Sequence, residues 1–138
     1  MSSPTPVQLR KLEALARKAA KHAYAPYSQF PVGAALLTST GEFFAGCNVE
    51  NASYGLSNCA ERTAIFNAVS NAKRAPRLKC IVIYTPTKAA TTPCGACRQV
   101  IHELGPDTRV VSICDSDARI DVSISTLLPG AFGPANLE

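Results

Sequence analysis

Cys59-Ala60-Glu61-Arg62 places a thiol, a carboxylate and a guanidinium within one short stretch, and Cys94-Gly95-Ala96-Cys97 places two thiols three apart. A thiol that only packs in a core has no use for a carboxylate and a guanidinium beside it. Thiols three apart at the start of a helix can face one ion. Redox dithiols share the C-x-x-C spacing, so the pair alone leaves metal binding and thiol exchange both open. Cys59, at the start of another helix, is the natural third ligand. Helix N-termini favour thiolates through the macrodipole and free amide donors. Structural zinc is usually closed by four protein ligands, whereas catalytic zinc keeps a position for water, so a count of three points to catalysis. Neither His22 nor His102 sits beside the two motifs, and both read as satisfied or solvent-facing histidines.

Glu61 carries two readings. With Asn58 as the helix cap, Glu61 falls where a capping-box carboxylate reaches back to the cap amide. Two residues past a zinc ligand, it also falls where a general acid/base can reach the water a metal activates. Arg62 has an ordinary surface ion pair as one role. Its other role is electrostatic. Three thiolates leave zinc with a net negative charge, which opposes ionisation of that water, and a guanidinium donating to sulfur would withdraw part of the charge.

These groups need a scaffold. Thr5-Pro6-Val7-Gln8 reads as a helix start with a capping box, and Val7, Leu9, Leu12, Leu15, Ala16 and Ala19 give it an apolar face to about His22. Residues 24–31 form a proline-punctuated loop. A hairpin follows, with strands over 32–38 and 42–47 and a turn at Ser39-Thr40-Gly41. The connector 48–57 has turn chemistry, yet carries Asn48, Glu50, Asn51 and Tyr54. The spacing predicts a second helix over about 59–71 with Ile65, Phe66 and Val69 buried, then a strand at 78–84. A third helix over 94–104 stops at Gly105-Pro106. A buried strand within 108–114, a short strand near 119–123 and one helical turn in the tail complete the chain. Cys80 and Cys114 lie inside strands and read as core side chains. The order α-β-β-α-β-α-β-β sets the fold class as α/β, a three-layer α/β/α domain around one mixed sheet. Ligands gather at strand carboxyl ends in such folds, where helix N-termini point, and both cysteine motifs fall at helix N-termini. No repeat or linker interrupts residues 1–138, which read as one catalytic domain.

With 46% apolar residues in 138, one core needs no disulfide staples. Six cysteines would suit a disulfide framework only in a secreted chain, and the N-terminal residues show no signal-peptide pattern. No apolar run approaches the roughly 18–20 residues that span a bilayer. These features predict a cytoplasmic protein with no membrane partner. The net charge of +4 is scattered over 10–22 and 72–79 and outlines no nucleic-acid groove.

At Cys59-Ala60-Glu61 with Pro93-Cys94-Gly95-Ala96-Cys97, the sequence resembles the zinc-dependent nucleoside deaminases. Cysteine as the first ligand is similar to the small cytidine deaminases of pyrimidine salvage. YAPYSQFPVGAALL, GCNVENASYGLSNCAERTAI, PCGACRQV and LLPGAFGP read like that family's motifs, in its order. The resemblance implies a five-stranded mixed sheet flanked by helices, and a homotetramer with shared active sites and one zinc per subunit. It implies hydrolysis of cytidine and deoxycytidine to uridine and deoxyuridine with release of ammonia, and no organic cofactor. Residue roles follow from the same resemblance. Cys59, Cys94 and Cys97 hold zinc, and Glu61 moves protons. Phe30 packs against the pyrimidine, Asn48 and Glu50 bind the ribose 3′-hydroxyl, and the Ala60 amide meets the base carbonyl. Ala52 and Tyr54 approach the 5′-hydroxyl side from a neighbouring subunit, and Phe132 of another subunit closes over the base.

Other functions share parts of this pattern. A deaminase of cytosine in polynucleotide wants a basic strip and stacking residues along an open groove. A deaminase of a cytosine nucleoside analogue shares the metal motifs, but Phe30 and Asn48-Val49-Glu50-Asn51 match the nucleoside pattern. A non-catalytic zinc-binding interaction domain gives Glu61 no task, and a thiol–disulfide oxidoreductase gives Cys59 none.

Overall fold

Helix α1 (Pro6–Ala20) starts on the expected capping box, with Gln8 N donating to Thr5 Oγ1 at 3.1 Å and Thr5 N to Gln8 Oε1 at 2.9 Å. It ends two residues before His22, and Val7 faces solvent, so Leu12, Ala16 and Ala20 carry its burial. The computed structural model describes residues 3–138. After α1 come β1 (Gly33–Thr38), β2 (Phe43–Cys47), α2 (Ala60–Asn71), β3 (Leu78–Tyr84) and α3 (Gly95–Leu104). The chain continues through β4 (Arg109–Ile113), β5 (Ile120–Ser123) and α4 (Ile124–Leu127), and a 3-10 turn over Pro134–Leu137 follows.

The strands form a five-stranded mixed sheet in the order β2-β1-β3-β4-β5, with β3 and β4 parallel and the other neighbours antiparallel. Successive strand residues point to opposite faces, and this alternation builds two cores. On one face, Ala35, Leu37, Cys80, Val82 and Val111 pack under Leu12 and Ala16 of α1. On the other, Ala34, Leu36, Ile81 and Val110 pack under Ala60, Ala64, Ile65 and Ala68 of α2 and Ile101 of α3. The three layers of the α/β/α expectation are these two helical faces and the sheet between them.

Helix α2 departs from the sequence reading in two ways. Phe66 and Val69 are 50% and 56% exposed, not buried. The contact face is a run of alanines at positions 60, 64 and 68, because α2 lies almost against β2. At Gly46 an added Cβ would sit 2.4 Å from Ala64 N. The second departure is the cap. Cys59 caps the helix, while Asn58 exchanges backbone hydrogen bonds with Val49 and its side chain donates to Thr63 Oγ1 at 3.0 Å. The Asn58–Glu61 capping box does not form.

Candidate active site

Cys59 and Cys94 are the N-caps of α2 and α3, both in extended conformation and neither accepting a side-chain capping bond. The two helix starts therefore converge, and the Sγ atoms of Cys59, Cys94 and Cys97 all lie within 4.8 Å of one another. Zinc–sulfur bonds of ~2.3 Å in a tetrahedron place sulfurs about 3.8 Å apart. The Cys59–Cys94 pair stands at 3.8 Å. The cluster fits a zinc ion, and Cys59 and Cys94 of it line a cleft.

The Cys59 thiol is pulled down to about 5, first by the Cys97 thiol beside it, against the cost of burial, and then by Arg62 and Cys94. The same sharing, together with burial, pushes the Cys97 thiol up. Arg62 Nη2 donates to Cys59 Sγ at 3.3 Å, so its guanidinium meets a thiol of the cluster. Glu61 is 5% exposed, and burial is the main force that pushes its carboxyl up to about 6. Its own backbone amide pulls the other way, while the Cys59 charge adds to the rise. A carboxyl so placed exchanges protons near neutral pH.

A cleft of about 400 Å³ opens over the cluster at the carboxyl end of β3, with Glu61, Cys59, Cys94 and Ala60 on its floor and Val32, Ile83 and Phe30 on its walls. Asn48 and Glu50 line it as well, and each also shapes it. Asn48 Oδ1 accepts from Val32 N at 2.8 Å and its Nδ2 donates to Phe30 O at 2.8 Å. Glu50 accepts from Tyr27 N at 2.9 Å, Ser28 N at 3.1 Å and the Ser28 hydroxyl, which holds its carboxyl below the usual range. Between these anchors Gln29 takes a left-handed backbone (φ 55), a conformation costly outside glycine, and the turn carries Phe30 into the cleft.

The other expected residues lie apart from this chain's own cleft. Tyr54 is 75% exposed on a 3-10 turn beside Tyr27, Ala52 is exposed just before it, and the exposed Phe132 side chain lies on the tail. Sequence reasoning passed over Thr85, Thr91 and Thr92, which line the cleft, and Arg98 behind them. Arg98 donates to Pro93 O at 2.7 Å and Thr92 Oγ1 at 2.9 Å, fixing the loop into Cys94. Its signal was faint: an arginine one residue past Cys97 on a helix already rich in polar residues.

Three thiols and a buried carboxyl at the strand ends of an α/β/α sheet define a class, the zinc enzymes that work through an activated water. The family model described as "Cytidine and deoxycytidylate deaminase zinc-binding region" matches residues 6–114. The chain belongs to that family. It is 44% identical over 133 residues to a cytidine deaminase of Sporosarcina psychrophila, covering 96% of each chain. A cytidine deaminase of Halalkalibacterium halodurans is 50% identical over 117 residues, covering 83% of this chain and 86% of that one. The crystal structure of cytidine deaminase from Burkholderia pseudomallei superposes with a TM-score of 0.84 at 49% identity, over 89% of this chain and 98% of that chain.

Proposed function

We propose that this chain, acting as one catalytic domain, hydrolyses the exocyclic amine of free cytidine and deoxycytidine, yielding uridine and deoxyuridine with ammonia. The observation that carries the reading is Glu61, a buried carboxyl on the floor of a nucleoside-sized cleft, two residues from one thiol of the metal cluster. Cys59, Cys94 and Cys97 would hold zinc, which would supply the Lewis acidity that makes water a nucleophile near neutral pH. Glu61 accepts a proton as water adds to the ring carbon bearing the amine, and passes it to ring nitrogen 3. It then moves the second proton of that water to the amine. The carbon–nitrogen bond breaks, ammonia leaves, and the ring keeps a carbonyl. Phe30 packs against the pyrimidine, the Ala60 amide meets the base carbonyl, and Asn48 and Glu50 take the ribose 3′-hydroxyl with the hydrogen-bonding capacity their loop contacts leave free. Arg62 tempers the thiolate charge.

The cleft favours a nucleoside over a nucleotide or a polynucleotide. None of its lining residues is lysine or arginine, and Glu50 adds an ionised carboxylate that repels phosphate. The assembly we infer is a homotetramer with shared sites, in which Ala52, Tyr54 and Phe132 serve neighbouring subunits. Its support is apolar surface that a monomer leaves wet: Phe66 and Val69 on the outer face of α2, with Tyr54, Leu56 and Phe132 elsewhere. A cytoplasmic role in pyrimidine salvage accords with this chemistry, and among the described residues no helix is long and apolar enough to cross a membrane.

Metal analysis paired with ammonia release from cytidine tests the reading. We expect one zinc per chain and turnover of both nucleosides. Bound zinc without turnover would make the chain a non-catalytic zinc domain, and preferential turnover of the 5′-monophosphate would overturn the nucleoside assignment.

A further inference from the structure

The chain beyond α4 is held at several points rather than left to trail. Gly130 turns it through a left-handed backbone (φ 64), which glycine adopts without steric cost. The residues after it return against α3, and one side of that helix grips them. Arg98, which fixes the loop into Cys94, also donates to Leu127 O at 2.9 Å, at the root of the segment. Gln99 Nε2 donates to Phe132 O at 2.8 Å. The His102 ring lies against Gly133, where an added Cβ would sit 2.7 Å from Nε2. On the far side, Gly133 N donates to Asn136 Oδ1 at 2.8 Å.

The main chain on both sides of Phe132 is thus fixed, while the residue stays 61% exposed. Ordering a terminal segment costs conformational entropy, and burial of its aromatic residue is the usual compensation. Here that compensation is missing within the subunit. The geometry therefore suits presentation of the ring outward in a set position.

We propose that Gln99 is a positioning residue for substrate binding, and that with His102 it fixes the Phe132 main chain so that the ring covers the base without first being ordered. This rests on the reading of Phe132 as a substrate-covering residue. Preorganisation of this kind acts on affinity, so its loss falls on KM more than on kcat.

Steady-state kinetics with cytidine on the zinc-loaded oligomer tests it, using Phe132→Ala, Gln99→Glu and the double variant. Gln99→Glu keeps the side-chain size and removes the donor, and Gln99→Leu repeats that loss without adding charge. We expect both Gln99 variants to retain zinc and to raise KM about three- to tenfold, the range one lost neutral hydrogen bond allows. The double variant should be no worse than Phe132→Ala alone, because Gln99 acts only through Phe132. If Phe132→Ala raises KM while both Gln99 variants leave it unchanged, or if the effects add, the positioning role is wrong and the Phe132 reading stands. Zinc loss in both Gln99 variants would likewise make Gln99 a structural residue. If Phe132→Ala itself leaves KM unchanged, the Phe132 reading fails and the positioning role fails with it.

Discussion

Arg62 Nη2 donates to Cys59 Sγ at 3.3 Å, so a cation rests on the thiol that caps its own helix. The contact spans three residues, the spacing at which side chains on a first helical turn meet. On the proposed mechanism, removing the guanidinium would return negative charge to the thiolate cluster and make ionisation of the activated water harder. Arg62→Gln should therefore keep zinc but move the acidic limb of the pH–rate profile to higher pH. Loss of such a partner commonly costs ~10–100-fold in affinity or activity. A profile superimposable on wild type would leave Arg62 without an electrostatic role.

Glu61 is buried beside this cluster, and the mechanism asks it to move two protons in one turnover. Glu61→Gln keeps the size and the hydrogen-bonding shape but cannot accept a proton. Zinc content should hold while turnover of cytidine falls. General acid–base groups contribute ~10²–10⁴-fold, and a group serving two transfers belongs at the upper end. A purified variant within tenfold of wild type would sink the proton-shuttle assignment.

The chemistry-bearing residues were legible because their types are rare and their spacing is local. Cys59, Glu61, Arg62, Cys94 and Cys97 lie within single helical turns, where sequence distance and spatial distance agree. The element order and the edges of the hairpin were legible for the same reason. Phe66 and Val69 were not, since a helical wheel ranks large apolar residues as core and has no knowledge of how closely two elements approach. Ala64 lies against Gly46 on β2, too close for a larger pair, and Ala60 and Ala68 are buried on either side of it along α2. The cap was misplaced because Asn58 spends its backbone groups on Val49, a partner the local pattern does not include. Arg98 was missed because its three acceptors, Pro93 O, Thr92 Oγ1 and Leu127 O, converge only in three dimensions.

That close approach makes its own prediction. At Gly46 a Cβ would meet Ala64 N at 2.4 Å and Thr63 C at 2.8 Å, both backbone atoms of α2 that cannot rotate aside. Gly46→Ala should push α2 off the sheet and destabilise the fold by ~1–3 kcal/mol, the usual cost of overpacking. Urea denaturation at fixed zinc measures it. Since α2 carries Cys59 and Glu61, activity should fall as well under conditions where the variant stays folded. An unchanged midpoint would mean that α2 floats freely over β2.

The tail bears on how the active site is assembled. Phe132, 61% exposed, projects from a segment held by Gln99 and is absent from the lining of its own chain's cleft. Within one subunit it lies outside the cleft, an apolar side chain left in water. In a neighbour's cleft it would close over the base and shed that exposed area. Phe132→Ala should then be impaired through the adjacent site, not its own. Mixing Phe132→Ala with Glu61→Gln under subunit exchange checks this directly. Each Phe132→Ala subunit brings an intact Glu61, and each Glu61→Gln subunit brings an intact Phe132. When the two sit side by side, one complete site forms, and activity should exceed the sum of the separate proteins. Exchange can be followed independently by mass spectrometry of differently tagged subunits. If exchange is verified, Phe132→Ala is impaired alone and the mixture gains nothing, Phe132 serves its own subunit and the shared site does not exist.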